Sequence, residues 1–292
     1  MKLGFIGTGV MGKAIVKNLL QADHEVVVYN RTKSKTAELI AQGAVWQDTP
    51  EQVAQAAEII FTMVGYPQDV KEVYYGEQGI FQAEISGKVL VDLTTSTPTL
   101  AKEIQKTAVE KGADALDAPV SGGDVGAKNA TLTIMAGGSE TAYQKVLPLF
   151  KVMGKSYTLQ GTAGRGQHTK MANQIMIAGT MTGLTEMLVY AQKAGLDLEK
   201  VLATLSGGGA QNWSMENYVP RILAQNYSPG FFVKHFIKDL KIALDEAKKM
   251  ELDLPATALA EQLYKKLADQ GFENDGTQAL IKLWWPTGAP KK

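Results

Sequence analysis

The chain has 292 residues, 45% apolar and 21% charged, with 30 basic and 30 acidic side chains and a formal net charge of zero. That size gives about two domains with a sizeable core, and the charge balance lacks the basic surplus of a nucleic-acid binder. There are no cysteines, so disulfides and a cysteine nucleophile are excluded. With three scattered histidines (His24, His168, His235) no zinc site is expected, while a carboxylate-bound Mg²⁺ is left open.

The N-terminus "MKLGFIGTG" starts directly in a strand pattern and lacks the marks of a signal peptide, so a cytoplasmic protein is expected. The spacing predicts strands over 2–6, 25–29, 44–46, 59–64 and 89–93, alternating with helices over 11–21, 32–42, 50–56, 68–75 and 99–111. "ADALDAPV", "TLTIMAGG" and "SYTLQ" read as three further strands, with a helix over 139–151 between the last two. Such alternation implies an α/β domain whose mainly parallel sheet is covered on both faces. After Gly161 the pattern becomes helical throughout: 166–194, on the order of 40 Å long, then 197–205, 213–224, 233–249, 255–270 and 277–285. The expected domains are therefore 1–161 and 162–292. "IMIAGTMTGLTEMLVYA" is broken by threonines and a glutamate, so it reads as a buried helix rather than a membrane span. That helix and an exposed tryptophan pair, Trp284 and Trp285, mark a candidate subunit interface; ordinary helical core is the equal alternative. Residues 287–292 read as a frayed tail.

"GFIGTGVMGKA" places Gly7, Gly9 and Gly12 in G-x-G-x-x-G spacing between the first strand and the first helix, the context that motif requires. Gly7 allows the tight turn, Gly9 a close approach to a pyrophosphate, and Gly12 close packing of helix on strand. The amides near Val10 and Met11 then face the phosphates of a dinucleotide. A bare glycine-rich turn is the alternative. The second strand ends "VVVYNRTKSK", with Asn30 where an acid would meet a free ribose 2′-hydroxyl. Arg31 and Thr32 suit a 2′-phosphate, so NADP(H) is favoured over NAD(H). The same stretch also reads as a solvated basic turn in which Thr32 or Ser34 caps a helix.

In "DAPVSGGDVGAKNATLTIMAGG", Ser121, Gly122 and Gly123 offer a hydroxyl and amides that suit a carboxylate, or a plain turn. In "GRGQHTKMANQ", helical spacing puts Lys170, Asn173 and Gln174 on one face, continued by Ile177 and Met181. His168 lies about 200° round the helix from Lys170 and reads as a cap or surface residue. A lysine at a helix start opposes the dipole, which lowers its pKa towards the range of proton transfer; an exposed stem is the equal alternative. Lys234, Lys238, Lys241 and Asp245 recur at helical spacing and read as a salt-bridged face.

"GFIGTGVMGKA", "DAPVSGG", "GRGQHTKMANQ" with its G-x-G-x-x-x-K-x-x-N core, and "KHFIKDLKIALDEA" together span nearly the whole chain. In this order they resemble the β-hydroxyacid dehydrogenase family, which includes 3-hydroxyisobutyrate dehydrogenase, tartronate semialdehyde reductase and glyoxylate/succinic semialdehyde reductase. The resemblance implies a Rossmann dinucleotide-binding domain followed by an all-α domain joined through a long interdomain helix. It also implies an active site in the cleft between them, a small carboxylate-bearing substrate, and a homodimer or homotetramer. By matching position it makes Lys170 the catalytic lysine that exchanges a proton with the carbonyl oxygen, and Asn173 its substrate-orienting partner. Ser121, Gly122 and Gly123 become the carboxylate anchor, Thr95 the residue near the nicotinamide ribose, and Lys238 the lysine that closes over the nicotinamide end. "NRTKSK" is similar to the NADP-preferring branch that reduces glyoxylate and succinic semialdehyde. "DAPVSGG" is closer to the 3-hydroxyisobutyrate and tartronate semialdehyde type, so the substrate stays open. A 6-phosphogluconate dehydrogenase-like enzyme would need a longer helical domain. An imine reductase usually lacks a lysine at position 170, and a non-catalytic dinucleotide-binding module would have lost it.

Overall fold

The computed structural model describes residues 1–286 and 288. The chain divides into two compact units, Met1–Lys170 and Met171–Lys292.

The first unit begins β1 (Lys2–Ile6), α1 (Val10–Gln21), β2 (Glu25–Tyr29), α2 (Ala37–Ala41), β3 (Val45–Trp46), α3 (Pro50–Ala56), β4 (Ile59–Thr62) and α4 (Pro67–Tyr75). It continues β5 (Val89–Asp92), α5 (Pro98–Glu110), β6 (Asp114–Asp117), β7 (Val120–Ser121), α6 (Gly123–Lys128), β8 (Leu132–Ala136), α7 (Glu140–Met153), β9 (Gly154–Leu159) and the start of α8 (Arg165–Lys193). Six strands form one wholly parallel sheet in the order β3-β2-β1-β4-β5-β6. Because both faces are covered, the interiors of its strands are near-continuous apolar runs, with polar residues at the strand ends. Leu3, Phe5, Val26, Val28, Ile59 and Phe61 enter one apolar layer. Ile6, Val27, Ile60 and Leu90 enter the other. The period-two alternation of a strand sorts them, and each such side chain contributes roughly 1.5–3 kcal/mol on burial. Gly4 lets α3 approach: a β-carbon there would lie 2.6 Å from Val53.

A second sheet carries β7 antiparallel to β8, and β8 parallel to β9. The turn expected at Ser121–Gly123 runs directly from β7 into α6, and the helix expected over 32–42 splits into a 3₁₀ turn at Lys33–Thr36 and α2. Three helices of this unit, α3, α5 and α7, start on a side-chain cap. Thr49, Thr97 and Ser139 accept from the amides of Gln52, Leu100 and Ala142. The start of α1 has no such bond.

The second unit contains the remainder of α8, then α9 (Leu198–Leu205), α10 (Trp213–Leu223), α11 (Val233–Lys249) and α12 (Pro255–Leu267). A 3₁₀ segment, Thr277–Leu283, stands where a helix over 277–285 was expected. Ala178, Met181, Leu184 and Leu188 of α8 enter the core with Phe236, Leu240 and Tyr264. The Tyr264 hydroxyl donates to the Thr277 carbonyl at 2.9 Å. Trp285 is 5% exposed and belongs to this core, whereas Trp284 is 38% exposed. The exposed pair is therefore a single tryptophan: the chain leaves the 3₁₀ segment at Leu283, and only Trp285 of the two turns into the core. Among the described residues no helix is long and apolar enough to cross a membrane. Gly288 apart, the tail expected at 287–292 lies outside the described residues.

Candidate active site

In an open parallel sheet, ligands bind beyond the carboxyl ends of the strands, where the strand order reverses. Here it reverses at β1, flanked by β2 and β4. The glycine loop leaves β1 at that point. Gly7 has φ of 97°, and a β-carbon on it would lie 2.1 Å from the Met63 carbonyl oxygen. A β-carbon on Gly12 would meet the Gly7 carbonyl at 2.0 Å and the Phe5 ring at 2.9 Å. One on Gly9 would meet nothing within 4 Å, so the space beside the start of α1 is open. The first intrahelical bond runs from Lys13 N to Gly9 O. The amides of Val10, Met11 and Gly12 therefore have no acceptor within the helix, and no side chain caps them. The Thr8 hydroxyl is buried without a hydrogen-bond partner. These features fit the pyrophosphate of a dinucleotide, which would satisfy the amides and lie on the positive end of the helix dipole.

Asn30 follows β2. Its side-chain oxygen accepts the Thr8 amide at 3.1 Å, and its Nδ2 donates to the Thr32 carbonyl at 2.9 Å. An aspartate could make the first bond but not the second. Arg31 is exposed and pairs with Asp69 at 3.3 Å, an exposed pair worth about 1 kcal/mol at most. Thr32 occupies the N-cap position of the 3₁₀ turn without a side-chain cap bond. The Lys33 ammonium lies 4.9 Å from the centre of the Trp46 ring, which packs against Tyr29 with centroids 5.9 Å apart.

The loop after β5 is held by side-chain hydrogen bonds. Asp92 Oδ1 accepts from Thr94 N at 2.9 Å, and Thr94 Oγ1 accepts from Val64 N at 3.0 Å. Half-buried Thr95 follows. Ser121 ends β7 opposite Thr133, and Gly122 and Gly123 turn into α6 with φ of 127° and 63°, a left-handed backbone that glycine adopts without strain.

The start of α8 is capped from outside its own sequence. Asp117, at the end of β6, accepts from Gly164 N at 2.7 Å and Gln167 N at 2.8 Å. Burial pushes its carboxyl up to about 7, against the pull of these amides. Gly137 and Gly166 permit the approach: a β-carbon on Gly166 would lie 2.3 Å from the Met135 carbonyl. The Gln167 side chain, fully buried, accepts from Ser96 N at 2.9 Å and donates to the Thr94 carbonyl at 2.7 Å. Lys170 follows one turn later and is 6% exposed, so it is not the exposed stem left open by sequence. His168 is half-buried within the first turns, its amide bonded to the Gly164 carbonyl at 3.0 Å.

In the second unit, Asn173 Nδ2 donates to Gln174 Oε1 at 2.7 Å, and Gln174 Nε2 to Asp239 Oδ2 at 2.7 Å. Lys238 Nζ lies 3.0 Å from Asp239 Oδ1. Asn173 and Lys238, far apart in sequence, thus belong to one polar chain. The expected salt-bridged face exists at Lys241 and Asp245, 2.8 Å apart, whereas Lys234 bonds Asn274. Sequence reasoning missed Asp117, Gln167 and Asp239. All three lie inside quoted motifs, and their one sequence signal is a polar residue within a buried run.

The NAD-binding domain of 6-phosphogluconate dehydrogenase matches residues 2–161, and the NAD-binding domain of NADP-dependent 3-hydroxyisobutyrate dehydrogenase matches residues 164–284. An uncharacterized oxidoreductase of Bacillus subtilis, YkwC, is 52% identical over 97% of this chain and 98% of its own. A probable mitochondrial 3-hydroxyisobutyrate dehydrogenase-like protein of Arabidopsis thaliana is 50% identical over 96% of this chain and 84% of its own. The 2-hydroxy-3-oxopropionate reductase of Escherichia coli is 41% identical over 97% and 96%. The solved structure of Psf3 in complex with NADP⁺ and 2-OPP superimposes with a TM-score of 0.90 at 26% identity, covering 97% of this chain and 99% of that one. With its dinucleotide loop, its buried helix-start lysine and these likenesses, the chain belongs to the β-hydroxyacid dehydrogenase family of NAD(P)-binding oxidoreductases.

Proposed function

We propose that the protein transfers hydride between NADP(H) and a short 3-hydroxy acid or its semialdehyde, as a 3-hydroxyisobutyrate dehydrogenase-like enzyme or a glyoxylate/succinic semialdehyde reductase. The observation that carries this reading is the burial of Lys170 one turn beyond a helix start fixed by Asp117 and Gln167. The bound cofactor supplies or takes up the hydride. Ser121 and the amides of Gly122 and Gly123 hold the substrate carboxylate, and Asn173 orients the reacting end. Lys170 gives a proton to the carbonyl oxygen during reduction and takes it back during oxidation, and its charge stabilises the developing alkoxide. No step calls for a metal. By the family resemblance, Thr95 takes the role beside the nicotinamide ribose and Lys238 that of closing over the nicotinamide end. The preference for NADP(H) is supported by an amide at position 30 in place of an acid, followed by an exposed arginine. A homodimer or homotetramer is supported by Met176 and Tyr190 of α8, large apolar side chains left exposed in the single chain.

Lys170→Ala tests the reading. Turnover is expected to fall at least about a hundredfold, the scale of a general acid, while NADP(H) still binds. Near-wild-type turnover would refute it. NADPH consumption with glyoxylate and with succinic, methylmalonic and tartronic semialdehydes then selects the substrate.

A further inference from the structure

We infer that Gln167 is a positioning residue for the reaction. It clamps the loop that carries Thr95 to the first turn of α8, and so fixes where Lys170 presents its ammonium. The inference rests on the reading of Lys170 as the proton donor.

The Gln167 side chain is fully buried, and both ends of its amide are used. Its oxygen takes the Ser96 amide at 2.9 Å and its nitrogen gives to the Thr94 carbonyl at 2.7 Å. The two peptide groups it holds flank Thr95 on either side. Two bonds to one side-chain amide fix its rotation as well as its position. The backbone of the same residue is held independently, since its N–H donates to Asp117 Oδ2 at 2.8 Å. Sliding of the helix start is blocked at Gly166, where even a β-carbon would lie 2.3 Å from the Met135 carbonyl. The ends of β5, β6 and β8 therefore converge on the turn before Lys170. Lys170 is three residues further along, on the same helical face as Gln167. A side chain that only filled this space could be apolar. The bidentate amide ties the expected nicotinamide-side loop to the expected proton donor.

The test compares Gln167→Met, which keeps the length and loses both bonds, with Lys170→Met and wild type. The loop and the lysine act on the reacting centre, whereas the carboxylate anchor at Ser121–Gly123 lies on another loop. The loss in Gln167→Met is therefore expected in kcat, by at least about tenfold, since a misplacement of order 1 Å can cost more than that. KM for the semialdehyde is expected to change by less than about threefold. Thermal unfolding is recorded for each variant. If Gln167→Met does not fold, Gln167→Glu decides. It keeps the Ser96 bond and, once ionised, sets an oxygen against the Thr94 carbonyl, so that kcat is expected to fall by at least about threefold as pH rises and the carboxyl loses the proton it would donate there. Turnover within about twofold of wild type in the folded variant overturns the inference and leaves the lysine reading intact. So does a loss that appears as a raised KM at unchanged kcat. If Lys170→Met keeps more than about a tenth of wild-type turnover, the lysine reading falls and the inference falls with it.

Discussion

The side-chain oxygen of Asn30 accepts the backbone amide of Thr8 at 3.1 Å, joining the loops that follow β1 and β2. The same side chain donates to the Thr32 carbonyl. Asn30→Asp retains the first bond, loses the second and sets a negative charge where a 2′-phosphate is expected. The ratio of kcat/KM for NADPH over NADH should fall at least about tenfold, or roughly 1.4 kcal/mol. An unchanged ratio would show that position 30 does not read the ribose.

Gly9 and Gly12 separate binding from folding. A β-carbon at Gly9 meets nothing, whereas one at Gly12 collides with the Gly7 carbonyl at 2.0 Å. Gly9→Ala should change stability by less than about 1 kcal/mol yet weaken dinucleotide binding about tenfold or more, because the methyl enters the space beside the uncapped amides. Gly12→Ala should lower the melting temperature sharply, as overpacking against backbone costs about 1–3 kcal/mol or more. Calorimetry and cofactor titration on both variants check the contrast.

Asp117 gives stability a pH slope of definite sign. Burial raises its folded-state value to about 7, above the unfolded value of about 3.9. Between these values the folded state holds the extra proton, so the contribution of this group falls as pH rises, by at most ~1.4 kcal/mol per pH unit. Asp117→Asn should remove that part of the slope. It should also cost about 1–3 kcal/mol, since the amide sets its NH₂ against one of the two N–H groups, Gly164 and Gln167, that the two carboxylate oxygens accept. If stability attributable to this residue instead rises from pH 4 to 7, the amides outweigh burial.

Gln174→Leu leaves Asp239, which is buried, without its 2.7 Å donor. Chemical denaturation should register a loss of about 1–3 kcal/mol. Because Asn173 also loses its acceptor at Gln174, the KM for the semialdehyde should rise, with cofactor binding less affected. Unaltered stability would show that the polar chain contributes little.

Much of the fold is legible because its signals are local. The runs "EVVVY" and "IIFT" are mostly apolar and lie where strands are expected, and the helices expected over 50–56 and 99–111 start at Pro50 and Pro98. Misreadings occurred where a distant contact or a local side-chain bond overrode the helix and loop preferences of the sequence. The glycines of "SGGDVGAK" argue for a loop, yet α6 is held by Asn18, whose Nδ2 donates to the Ala127 carbonyl at 2.8 Å across the fold. Thr36 bends the helix expected over 32–42 by bonding back to the Lys33 carbonyl. In the candidate site, spacing alone grouped Lys170 with Asn173 and set His168 apart. The supports of that face were invisible, because the partners of Gln167 lie 71 and 73 positions away. A buried glutamine next to a glycine carries no mark of its bonding in one dimension.

Trp46, packed against Tyr29 and Lys33 beside the Asn30–Thr32 loop, is the sole tryptophan of residues 1–170. The other three, Trp213, Trp284 and Trp285, belong to the helical unit. A Trp46→Phe variant compared with wild type would therefore isolate one emission signal at the adenosine end of the cofactor loop. If the Asn30–Thr32 loop holds the adenosine end as proposed, that emission is expected to change on nucleotide binding whether or not any substrate is turned over.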